Sequence, residues 1–184
     1  VRSMLVDSRN RLWMGTSTGQ VQVYDLRDGS RHLVTLPEAV TDVVWSLRED
    51  GQGRVWVTSR GVSWVDMDTL KATLAGEVGR KFQQRMFSVA LGPDRAWLGD
   101  HDGIFEVALD GTVLRRLEGT IASGLLSSQV NALAYVDGRL WAATPGGLHR
   151  VDLQRWRAAV VKPTNLDKNS ADATPFVSAL FPDG

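Results

Sequence analysis

Few residues of this chain are well placed for chemistry. They are a serine framed by glycines at Gly15-Thr16-Ser17-Thr18-Gly19, the triplet Asp100-His101-Asp102, and the two remaining histidines, His32 and His149. The first matches G-x-S-x-G, a pattern that works when a strained strand-to-helix turn lifts the serine towards a histidine and an acid. Positions equivalent to Ser17 further along the chain hold Arg60, Asp102 and Gly146, none of them a nucleophilic serine, so the match reads as a turn. The triplet offers three ligating side chains, but aspartate is at home in turns, where it bonds its own backbone. No two histidines stand at the i, i+2 or i, i+4 spacing that preforms a metal site. There is no cysteine, which excludes a disulfide framework, a thiolate zinc site and a cysteine nucleophile together. No catalytic constellation emerges, and no cofactor or metal is expected.

The elements that must carry these residues are announced by tryptophan. Trp13, Trp56, Trp97 and Trp141 stand 43, 41 and 44 residues apart, and the text around each repeats. Arg11-Leu12-Trp13-Met14-Gly15-Thr16 returns as Arg54-Val55-Trp56-Val57-Thr58-Ser59, as Arg95-Ala96-Trp97-Leu98-Gly99-Asp100, and as Arg139-Leu140-Trp141-Ala142-Ala143-Thr144. A glycine follows each, at Gly19, Gly61, Gly103 and Gly147. Upstream a second element repeats: Val1-Arg2-Ser3-Met4, Val44-Trp45-Ser46-Leu47, Met86-Phe87-Ser88-Val89, Val130-Asn131-Ala132-Leu133, and a fifth copy at Phe176-Val177-Ser178-Ala179.

Short apolar stretches rich in Val, Trp, Leu and Phe, separated by Asp, Gly, Asn and Ser clusters, read as strands joined by turns. Phe105, Val107 and Leu109 alternate with Glu106 and Ala108, the two-residue period of a half-buried strand. No segment shows a sustained helical pattern. Four short strands in a repeat of roughly 40–45 residues describe a blade of a β-propeller. The expected fold is all-β: blades at about 1–43, 44–85, 86–129 and 130–175, then the first strand of a fifth at 176–184, within a larger ring. The fourth strands are expected at Arg31–Leu36, Lys71–Ala75, Val113–Leu117 and Ala158–Lys162. The chain opens at Val1 with neither an initiator methionine nor a basic-then-apolar leader, so it reads as a piece of something longer.

Composition narrows the function classes. Lys plus Arg at 21 balance Asp plus Glu at 21, which argues against a protein whose main business is gripping nucleic acid or an anionic membrane. No apolar run approaches the ~20 residues a membrane-spanning helix needs. Seven tryptophans in 184 residues is the unusual number. One per blade, at the same point of the second strand, is what packing between blades requires, because a buried indole covers a large area and its N–H needs only one partner. Trp13, Trp56, Trp97 and Trp141 are therefore read as core.

The segment Gly124-Leu125-Leu126-Ser127-Ser128-Gln129-Val130, followed by Asp137-Gly138-Arg139-Leu140-Trp141-Ala142-Ala143-Thr144 and Gly147-Leu148, resembles the two-component regulator propeller repeat. The first repeat keeps the pattern through Trp13-Met14-Gly15-Thr16, while the second and third drift at Thr58 and Asp100. The resemblance implies a sensor region of a bacterial hybrid histidine kinase or diguanylate cyclase, periplasmic and part of an inner-membrane receptor. It also implies recognition of a ligand, often an oligosaccharide. Kinase or cyclase output would lie outside this segment.

Loops on a rigid scaffold are where binding residues concentrate, and in a propeller the connections between blades gather with the turns between second and third strands around one channel mouth. The candidate ligand residues there are Trp45, Arg60, Arg85, Phe87, His101, Asp102, Gln129 and Asn131. Trp45 and Phe87 stand where other copies hold Arg2, Asn131 and Val177, so packing alone does not call for them. The polar stretch Pro163–Pro175 could cover the mouth. The basic runs Arg115-Arg116 and Arg155–Arg157 read as solvated strand edges.

Three function classes compete: a ligand-sensing input domain, a propeller enzyme acting as a lyase or hydrolase on a polysaccharide or lactone, and a protein–protein scaffold of the WD-repeat kind. The first is favoured. Its expected partners are a small-molecule or oligosaccharide ligand and the remaining blades of the same receptor, with homodimerisation left open and neither nucleic acid nor a membrane span in this segment.

Overall fold

Four antiparallel meanders follow one another, each with its strands hydrogen-bonded in chain order. The computed structural model describes residues 1–161; the expected fifth first strand and the stretch 163–175 lie outside the described residues. The first sheet holds β1 (Ser3–Val6), β2 (Arg11–Gly15), β3 (Val21–Asp25) and β4 (Arg31–Val34). The second holds β5 (Ser46–Glu49), β6 (Arg54–Ser59), β7 (Gly61–Asp66) and β8 (Ala72–Leu74). The third holds β9 (Ser88–Leu91), β10 (Arg95–Gly99), β11 (Gly103–Ala108) and β12 (Val113–Glu118), and the fourth β13 (Ala132–Val136), β14 (Arg139–Thr144), β15 (Gly147–Asp152) and β16 (Arg157–Val160). This is a β-propeller segment of four blades. Where a first and second strand turn tightest, between Val136 and its partner Arg139, the two linking residues Asp137 and Gly138 both have positive φ, at 50° and 74°. That is the backbone a two-residue hairpin demands, and Asp-Gly supplies it at low cost.

Blades stack through unlike faces. The Trp13 side of the first sheet packs with Val23 against Val44, Leu47, Val55 and Val57 of the second. Trp56 meets Met86, Val89, Ala96 and Leu98 of the third, and Trp97 meets Val130, Leu133, Leu140 and Ala142 of the fourth. β1 touches β5, β5 touches β9 and β9 touches β13, so the first strands are the innermost. Trp13, Trp56 and Trp97 are 0%, 0% and 2% exposed, as expected for core residues. Trp141 is half-buried, because no described blade lies beyond it. At the other end, Met4 is 64% exposed while its counterparts Leu47, Val89 and Leu133 are buried by the preceding blade.

Short helical elements in the connections between blades depart from the sequence expectation: 3-10 turns at Glu38–Val40 and Ile121–Ser123, and one α-helix. The α-helix, α1 (Gly76–Lys81), lies in the connection between the second and third blades. Six residues are too few to display an apolar period, and burial there falls on Val78 and Gly79 alone. The helix is fastened from outside, by the Val78 N–H donating to the Gly111 carbonyl at 2.9 Å. Among the described residues no helix is long and apolar enough to cross a membrane.

Candidate functional site

The loops between blades and the turns between second and third strands are joined by a repeating backbone pattern. Val44 N–H donates to Thr16 O at 3.0 Å, Met86 N–H to Ser59 O at 2.9 Å, and Val130 N–H to Asp100 O at 2.8 Å. Each bond ties the start of one blade to the turn of the blade before it. The following residue is held by its own blade: Trp45 N–H to Thr58 O, Phe87 N–H to Gly99 O and Asn131 N–H to Ala143 O, each at 2.8 Å. Close approach makes this possible. A Cβ at Gly99 would stand 2.7 Å from Ser88 Oγ and 2.8 Å from Val130 Cγ1. The backbone at this position is therefore fixed from two sides while its side chain is free to vary, and here it reads Arg2, Trp45, Phe87 and Asn131.

Three of these four side chains form a continuous row. The Arg2 guanidinium lies 5.1 Å from the centre of the Trp45 ring. Trp45 and Phe87 meet edge to face with centroids 5.2 Å apart, and Phe87 meets His101 in the same manner at 4.6 Å. The row crosses two blade seams. Trp45 and Phe87 are half-buried and His101 is exposed. The Trp45 indole N–H is buried without a hydrogen-bond partner among the described residues.

Charge flanks the row on both sides. Arg85 approaches Asp42 at 3.4 Å; the Val43 N–H first, then Arg85 and Arg60, hold the Asp42 carboxyl below the usual carboxylate range. Arg60 and Arg85 are both exposed. Beyond His101, Asp100 is fully buried and accepts from Gln84, from Asp102 N–H at 2.8 Å and from Arg116 at 3.1 Å. Burial pushes its pKa up against those partners. Arg116 also reaches the exposed Asp102 at 3.4 Å. Gln129 and Asn131 bond each other at 2.7 Å on the fourth blade.

Of the eight residues singled out in the sequence, the structure joins Trp45, Phe87 and His101 directly, sets Arg85 and Arg60 about Asp42, and leaves Gln129 with Asn131 as a separate pair. Asp102 belongs to the Arg116 cluster. The Asp100-His101-Asp102 triplet does not converge, since Asp100 turns inward to Gln84 and Arg116 while His101 lies on Phe87. Arg2 was missed as a member of the row, although it occupies the same repeat position as Trp45. Reading Arg115-Arg116 as a solvated edge needs correction: both are half-buried, Arg115 paired with the buried Glu106 and Arg116 with Asp100. Ser17 is exposed in a turn between two strands, β2 and β3, without the strand-to-helix context its motif requires. A separate cleft of about 240 Å³ beside the first blade is lined by Thr18, Gln20, Leu33 and Thr41, with no charged or aromatic side chain.

The fold and its seams define a propeller segment of repeated blades. The family model described as two component regulator propeller matches residues 40–61, the stretch that holds Trp45 at the seam between the first and second blades. No curated protein sequence matches the chain. Among solved structures, the extracellular domain of BT4673 from B. thetaiotaomicron, described as part of a one component system, superposes with a TM-score of 0.69 at 12% identity, covering 87% of this chain and 25% of that one. A second structure, described as the extracellular domain of the hybrid two component system BT4673, gives 0.69 at 13% identity, covering 87% and 24%. The chain thus spans about a quarter of the length of these structures, and the likeness is one of fold.

Proposed function

We propose that this segment is part of the ligand-sensing, extracytoplasmic region of a bacterial two-component receptor, and that the row Trp45–Phe87–His101 with Arg2, Arg60 and Arg85 is where it meets its signal. The observation that carries this reading is the row itself. Blade packing accounts for the pinned backbone at this position, but it asks nothing of the side chains there, and on two adjacent blades they are aromatic and half-exposed. Half-exposed aromatic rings flanked by guanidinium and carboxylate groups suit a polar organic molecule with an apolar face and hydroxyls, and an oligosaccharide has both. The match to the family model at residues 40–61 supports the receptor assignment, and the two similar solved structures are described as extracellular domains of a one component and a hybrid two component system. Kinase or cyclase output belongs to other parts of such a receptor. The exposed apolar face of the first blade, at Met4, Val6 and Leu33, suits contact with a further blade of a larger ring.

Calorimetric titration against a panel of neutral and acidic oligosaccharides tests the reading. A binder should raise the melting temperature, by about 2.7 kcal/mol of added stability at a hundredfold excess over Kd. Replacing Trp45 and Phe87 together by alanine should remove that gain. A double variant that binds as tightly as wild type places recognition elsewhere, and turnover of the bound sugar by the wild-type chain would favour an enzyme instead.

A further inference from the structure

Six arginines are half-buried among the described residues: Arg11, Arg48, Arg54, Arg95, Arg115 and Arg116. Five have a carboxylate. Arg11 pairs with Asp7, Arg54 with Asp50, Arg95 and Arg115 with Glu106, and Arg116 with Asp100. Arg48 is the exception. Its Nη1 donates to the carbonyl of its neighbour Leu47 at 2.8 Å, and no acidic side chain among the described residues reaches it. Its own neighbour Glu49 is engaged elsewhere, accepting from the Ser8 N–H and hydroxyl of the preceding blade. Burial pulls the Arg48 pKa below the ordinary guanidinium value.

The position makes the omission more telling. Arg48 lies on β5, one of the innermost strands, paired across the sheet with Trp56. In the other blades the same place is held by Leu5, Ala90 and Ala134, all apolar, each paired with the blade's own tryptophan. The repeat thus asks for a small or aliphatic residue here and receives a charge. Taking a charge partly out of water without a partner is costly, and departures from a fold's own pattern concentrate where something is bound. None of the Arg48 nitrogens is among the buried, unpartnered atoms, and the donors not spent on Leu47 meet no acceptor among the described residues. A planar fork of free N–H groups matches the two oxygens of a carboxylate, sulfate or phosphate.

We propose that Arg48 is an oxyanion-binding residue on the innermost strand of the second blade, on the face it shares with Trp56 towards the third. The site is independent of the aromatic row. The experiment follows melting temperature against inorganic sulfate, with ionic strength held constant by chloride. Sulfate excluded from the surface raises the stability of every variant alike and without saturation. The wild-type chain should add a saturable rise to that common slope. Arg48→Leu, which restores the residue of the first blade, should show the slope alone and melt no lower than wild type without sulfate; Arg48→Met carries the same comparison if the leucine variant does not fold. Arg60→Met and the Trp45/Phe87 double alanine variant should keep the full saturable rise, which separates this site from the proposed function. The proposal is overturned if wild type shows only the common slope, if the Arg48 variants retain the saturable part, or if they melt well below wild type before any anion is added.

Discussion

The indole N–H of Trp13 donates to the Asp7 carboxylate at 2.8 Å, inside a seam where neither side chain meets solvent. The second blade repeats the arrangement between Trp56 and Asp50 at 2.9 Å, and in both an arginine, Arg11 or Arg54, closes on the same carboxylate. The third blade has no such acid. The Trp97 N–H stands without a partner among the described residues and the ring stacks instead on Tyr135 of the next blade, centroids 4.8 Å apart. Trp56→Ala and Trp97→Ala should each cost about 3–5 kcal/mol, the usual range for large aromatic truncations in packed interiors. Asp50→Leu should cost a similar ~3–5 kcal/mol, because it leaves Arg54 and the indole N–H facing a vacated bond. Urea unfolding followed by tryptophan fluorescence measures all three, and an Asp50→Leu loss below about 1 kcal/mol would show that the acid is dispensable.

Acid sensitivity has an origin in His149. Its ring is fully buried; Nε2 accepts from the Leu126 N–H at 3.2 Å while Nδ1 faces the Gly147 carbonyl at 3.1 Å. Burial lowers its pKa, so the folded chain holds it neutral while the unfolded chain takes up a proton first. Stability from this source is complete above the unfolded value of about 6.5 and declines as pH falls from there towards the folded value. His149→Gln should flatten the pH dependence of melting between about pH 6.5 and 5. An unchanged slope in the variant would assign the acid loss to the carboxylates.

The seat of α1 is a sharper test of packing. Gly111, at φ 81°, lies so close that a Cβ would stand 2.6 Å from Ala75 O and 2.8 Å from Gly76 Cα. Gly111→Val adds both a steric clash with backbone and a left-handed strain that β-branched residues rarely tolerate. Amide hydrogen exchange should show α1 deprotected in this variant while the strands of the first blade keep their protection. Retained protection of Val78 would mean that the helix does not depend on this contact.

Within the aromatic row the coupling is measurable without any ligand. A double-mutant cycle on Trp45 and Phe87 should return about 0.5–1.5 kcal/mol, the range for edge-to-face pairs. A value near zero would mean that the rings merely share a surface.

The fold was open to reading because its determinants are local and repeated: a tryptophan at a fixed step, a glycine after it, strands of four to six residues in period two. The aromatic row was partly open, since Trp45 and Phe87 interrupt a repeat that otherwise keeps its types. What stayed hidden was pairing between distant polar groups. Glu106 sits in a strand where period two gives it no reason to be buried, yet it is 1% exposed between Arg95 and Arg115. Its partners lie 9 and 11 residues away on different strands, and only the sheet register brings them together. The short helix was equally silent, because its hold on the fold comes from Gly111 rather than from its own face.

The bonds from Val44 to Thr16, Met86 to Ser59 and Val130 to Asp100 all point the same way, from a blade back to its predecessor. A head-to-tail joint of this kind has no internal stop, unlike a two-fold interface that satisfies itself once formed. Nothing in a seam counts how many have gone before. The tally of blades in such an assembly is set by the rotation at each joint and by the need for the last to meet the first, so a small residue such as Gly99, by fixing how closely two neighbours approach, is also a term in the circumference.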